Sequence, residues 1–167
     1  MTVAQLRTDL QVSREHLFAP LQGLNEEQFR HVPAAGAWSI ATHLAHVLRC
    51  ERLYTERALR ALREDDPRIE STGTSNDDEP ALAERLAVPQ IIHGLQAARR
   101  TLDDALAACD ESAIARAIIH SRYGRITVAG MATKMATHED EHATDVARIA
   151  AEAPATRRMI IPLREHS

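Results

Sequence analysis

Residues 127–149 read TVAGMATKMATHEDEHATDVARI, and this stretch decides the fold. Met131, Met135, His138, His142, Val146 and Ile149 recur at steps of four, three, four, four and three. That is the spacing of one face of an α-helix. Thr127 is placed to cap its first turn, because a threonine hydroxyl can accept from the free amides there. Ile126 and Met131 stand at the positions of a hydrophobic staple. Both histidines therefore lie on the stripe that carries the core residues.

Working outward, three more segments show the helical period. Val3, Leu6, Leu10 and Leu17, with Leu21 and Leu24 beyond, predict a first helix broken near Pro20, and residues 32–36 form a connection. Ser39 is a capping residue for a second helix that runs to about Arg63. Its apolar positions include Ile40, Leu44, Val47, Leu48, Leu59 and Leu62. Residues 64–80 hold Pro67, Ser71, Gly73, Ser75 and an acidic run, and read as the longest loop, its charges solvated. A third helix is expected over about 81–108, with Pro89 either kinking it or marking a late start. Residues 113–119 are apolar and admit a helix, and 120–124 read as a turn.

No strand-like alternation stands out, and no repeat is visible. The expected fold is all-α: a four-helix bundle, up-and-down or crossed, with a long connection between helices two and three. The domain is expected to span 1–153, followed by a C-terminal tail over 154–167.

Length and composition narrow the function classes. A chain of 167 residues suits one domain with a real core. Aromatics are only 3%, too few for a base-stacking platform, and basic residues form no phosphate-tracking block, so no nucleic-acid partner is expected. The start, Met1–Leu6, lacks a basic region followed by an apolar run, and no stretch approaches the ~18 apolar residues of a membrane span. Cys50 and Cys109 form no CxxC pair. A cytoplasmic protein with reduced thiols and no membrane partner is expected.

Nine histidines leave position to separate signal from background. His138 and His142, at i and i+4, can converge on one metal ion. Buried imidazoles otherwise need other partners for their nitrogens. A third ligand should come from a facing helix, where His43 and His46 are both available, and periodicity does not choose between them. The string from His138 to His142 also satisfies H-E-x-x-H, the zinc-protease pattern. A third protease ligand is wanted downstream, however, and only Glu152, Glu165 and His166 remain there. No strand pattern offers a substrate-binding edge either, so the protease reading is set aside.

Two motifs carry a family resemblance. One is WSIATHLAHVLRCE from Trp38, with His46 eight residues after the tryptophan. The other is HSRYGRITVAGMATKMATHEDEHATDVARI, from His120 to Ile149. Together they resemble the DinB-like superfamily, the YfiT-type metal-dependent hydrolases, over nearly the whole chain. The resemblance implies a four-helix bundle with a three-histidine site for a divalent metal. The ligands carry over to His46, His138 and His142, which breaks the tie against His43. Thr42 and Asp145 depart from residues common in the family, acidic and Gln respectively, and neither touches the implied ligands.

Three protein ligands leave a coordination position open, the mark of a catalytic ion. The implied cofactor is zinc or nickel, with iron or manganese as alternatives. The implied partner is a small-molecule substrate, and a homodimer is admissible. Hydrolysis by an activated water and metal-assisted thiol S-transfer are both compatible, as is a non-catalytic metal-binding or stress-related bundle. Glu51, Glu139 and Glu141 are expected as solvated carboxylates. Cys50 reads as a small buried hydrophobe before a soft ligand or reactive thiol. Trp38 reads as a packing residue before a substrate platform.

Overall fold

In a computed structural model, residues 1–71 and 76–153 are described, and the tail expected over 154–167 lies outside them. Four long helices make the frame: α1 (Val3–Phe18), α3 (Ile40–Arg63), α5 (Val88–Ala107) and α6 (Val128–Glu152). Two short helices, α2 (Glu26–Arg30) and α4 (Glu79–Glu84), sit in the connections.

The predicted caps form. Ser39 Oγ accepts from the Thr42 amide at 3.2 Å, and Thr127 Oγ1 accepts from the Gly130 amide at 2.9 Å. The first helix ends at Phe18, just before a 3₁₀ turn containing Pro20. Pro89 falls in the first turn of α5, where its missing N–H costs nothing, so it marks a late start and not a kink.

α1 packs chiefly on α6, while α3 packs on both α5 and α6. Among the described residues, chain-consecutive long helices α1 and α3, and α5 and α6, are not principal packing partners. The bundle is therefore crossed, with diagonal connections. Gly94 allows α5 to approach α3 closely: a Cβ there would stand 2.9 Å from Leu48 Cδ2.

Two expectations need correction. Residues 117–120 are not helical: β2 (Ala117–His120) pairs in parallel with β1 (Arg68–Ile69) and antiparallel with β3 (Gly124–Thr127). A short apolar run fits a buried strand or a helix equally well, and only pairing decides. The 64–80 connection is also not a free loop, because it contributes β1 and the start of α4.

The core divides into two apolar clusters. One gathers Leu17, Leu44, Leu48, Leu95, Val146 and Ile149; the other gathers Leu6, Leu10, Leu102, Leu106, Met131 and Met135. Between them lies a charged layer with one residue from each long helix: Arg14, Glu51, Arg99 and Glu139. Arg14 Nε meets Glu139 Oε1 at 2.5 Å, and its other arm pairs with Glu51. Arg99 reaches Glu51 at 2.6 Å and Glu139 at 2.8 Å. Ser13 Oγ donates to Glu139 at 2.6 Å. Two cations and two carboxylates thus neutralise one another away from water. Buried charge is tolerated only when paired in this way.

Candidate metal centre

The helix periods bring five chemistry-bearing side chains together. His43, His46 and Cys50 lie on one face of α3, and His138 and His142 lie on the facing stripe of α6. His46 Nε2 stands 3.1 Å from His138 Nε2, which stands 3.2 Å from His142 Nε2. Trp38, just before α3, lays its ring against His43, His46 and His142, with centroids 5.3, 5.2 and 6.1 Å away. It touches the cluster and does not merely pack the helix start.

The outer nitrogens have partners. His46 Nδ1 lies 3.0 Å from Glu79 Oε1, a carboxylate that also accepts from Arg49 Nε at 2.6 Å. A carboxylate so paired can only accept, so His46 donates to it from Nδ1. His142 Nδ1 lies 2.8 Å from His43 Nδ1. His43 is thereby placed behind His142 as a supporting residue.

Burial favours the neutral form of His43, His138 and His142. Burial, then the neighbouring His46, pushes the His138 pKa down from 6.5 to about 4. Burial, then His138 and His43, pushes His142 down to about 3. Burial lowers His43 and raises the Cys50 thiol. Nitrogens of three imidazoles thus crowd together, two of them on rings that burial holds neutral. That arrangement suits a cation at their centre, since metals take neutral imidazole.

The three residues expected as ligands are brought together. His43, left open by the spacing, sits behind them. Among the described residues, the donor atoms of His46, Cys50 and His138 all lie within 4.8 Å of one another, and His142 joins this group through His138.

The carboxylates depart most from expectation. Glu139 and Glu51 are 1% and 3% exposed and belong to the charged layer, so neither is solvated. Glu139 already accepts from Ser13, Arg14 and Arg99, which removes it as the general base of a zinc-protease motif. Glu79, from the loop expected to be solvated, is 2% exposed and holds His46. One signal could have found Glu139 and Glu51: each falls on its helix's apolar stripe, four residues after Met135 and Val47. Glu79 carried no such signal. A cleft of about 610 Å³ on α1 and α5, lined by Arg7, Arg14, Arg99 and Asp103, lies away from the histidines. Among the described residues, its walls hold no imidazole or thiol.

The chain is similar to known proteins. The DinB superfamily profile matches residues 9–146. The solved structure of TT2238, a four-helix bundle protein, superposes with a TM-score of 0.64 at 20% identity, covering 88% of this chain and 99% of that one. YfiT from Bacillus subtilis, described as a probable metal-dependent hydrolase with an unusual four-helix bundle topology, superposes with a TM-score of 0.66 at 16% identity. The match covers 87% of this chain and 86% of that one. At these identities the likeness shows the fold. No curated protein matches the chain.

Proposed function

The chain belongs to the DinB superfamily, and on that premise we propose that it is a metal-dependent hydrolase of a small molecule, holding one divalent ion through His46, His138 and His142. One observation carries this reading: His138 Nε2 stands 3.1 Å from His46 Nε2 and 3.2 Å from His142 Nε2, while Nδ1 of His46 and of His142 are turned outward to partners. Imidazole ligands are characteristically fixed in this way by a hydrogen bond on the other nitrogen. Zinc or nickel suits the donors best.

A divalent ion held there would polarise a substrate oxygen and bring a bound water's pKa toward neutrality. The protein's own residues do the rest. Glu79 and His43 orient the ligands, and burial keeps His138 and His142 unprotonated. His138 and His142 are only part-buried, which leaves a side open to substrate.

Metal-assisted thiol transfer is a second reading, favoured by a specific observation. Glu51 and Glu139, the carboxylates beside the ligands in sequence, are consumed by arginines. A thiol deprotonated on coordination needs no such base. Metal-loaded protein screened with small esters, amides and low-molecular-weight thiols separates the two. The reading predicts turnover of an ester or amide that disappears in His142→Ala. Turnover only with a thiol co-substrate would replace hydrolysis by transfer. Turnover that survives His142→Ala would contradict both.

A further inference from the structure

We propose that Cys50 is a fourth ligand of the same ion, giving a three-histidine, one-thiolate donor set to which water or substrate adds as a fifth ligand; this rests on the three-histidine reading above. Cys50 lies one turn after His46 on α3, and its Sγ stands 3.6 Å from His46 Nε2. With zinc–nitrogen bonds of about 2.0–2.1 Å and zinc–sulfur bonds of about 2.3 Å, tetrahedral geometry separates two nitrogens by about 3.3 Å and a nitrogen from a sulfur by about 3.6 Å. The separations found are 3.1 Å from His46 to His138, 3.2 Å from His138 to His142 and 3.6 Å from His46 to the thiol, with His46, Cys50 and His138 donors all within 4.8 Å of one another.

The other cysteine shows the contrast. Cys109, just past the end of α5, donates from Sγ to the Ala105 carbonyl four residues back at 3.0 Å, a partner within its own segment. Cys50 instead points its sulfur at a histidine within a metal-sized cluster. On binding, the S–H bond breaks, the sulfur–metal bond forms through the sulfur lone pair, and the proton passes to solvent. No oxidant or reductant is needed. A thiolate in the set favours zinc over manganese, because soft donors prefer softer ions.

Cobalt(II) tests this, since it takes zinc sites and reports on thiolate through a charge-transfer absorption in the near ultraviolet. Full-length protein titrated with cobalt(II) should show that absorption together with visible ligand-field bands. Cys50→Ser and Cys50→Ala should lose the near-ultraviolet absorption, while Cys109→Ser keeps it. Circular dichroism of each variant checks that the helices remain. Cobalt uptake with ligand-field bands but no thiolate absorption overturns the role of Cys50 and leaves the three histidines standing. So does an absorption that persists in both Cys50 variants. No uptake at all overturns the three-histidine reading, and the Cys50 proposal falls with it.

Discussion

Two buried polar clusters sit side by side on α3 and α6, and they solve opposite problems. In the charged layer, Arg14, Glu51, Arg99 and Glu139 balance two positive against two negative groups. In the histidine cluster, the imidazole nitrogens of His46, His138 and His142 face one another at 3.1 and 3.2 Å. Glu51 directly follows Cys50, and Glu139 directly follows His138, so neighbouring residues serve different clusters. The charges of the first cluster balance within the chain, although Arg14 Nη1 is left without a partner among the described residues, whereas a cation would sit among the nitrogens of the second. Burial of polar groups is thus not by itself a sign of function; what separates the two is whether partners within the chain suffice.

The largest effect expected from breaking this contrast is on the charged layer. Glu139→Ala leaves two buried guanidinium groups sharing one carboxylate, and should cost about 3–5 kcal/mol in stability by denaturant unfolding. The neighbouring His138→Ala should leave apo-protein stability much closer to wild type. Equal losses in the two variants would erase the distinction.

A smaller effect is expected at the support of the histidines. Glu79→Ala removes the acceptor of the His46 Nδ1 proton, and isothermal titration with zinc should show affinity weakened about 10–100-fold. An unchanged affinity would mean that Glu79 merely neutralises Arg49.

The gentlest probe is pH. His138 and His142 are held below their ordinary 6.5, at about 4 and about 3. Their neutral form is favoured in the folded protein, so their contribution is present above pH 6.5 and lost as pH falls through the folded values. Urea midpoints of apo-protein should decline across that acidic window. In a His138→Ala, His142→Ala double variant the decline should be shallower. Identical slopes would remove the histidines from the account.

The four long helices were legible because period and caps are local. Val128–Glu152 follows directly from the stripe and from Thr127. The convergence of His46 with His138 and His142 needed the family resemblance, since spacing on α3 left His43 equally eligible. The charged layer was missed because its partners are remote in sequence: Arg14 and Glu139 are 125 residues apart. Nothing local distinguishes a paired buried carboxylate from a solvated one, except that Arg14, Glu51, Arg99 and Glu139 all interrupt apolar stripes. The β2–β3 pair was missed for the related reason that a strand is defined by its neighbour.

Metal analysis of protein purified without chelator, and again after dialysis against zinc, nickel or manganese, tests the central claim most directly. The account predicts about one ion per chain for wild type, as a single three-histidine site requires, with binding abolished in His142→Ala and largely spared in His43→Ala. A stoichiometry near zero that none of the three metals raises, or equal loss of metal in both variants, would contradict it.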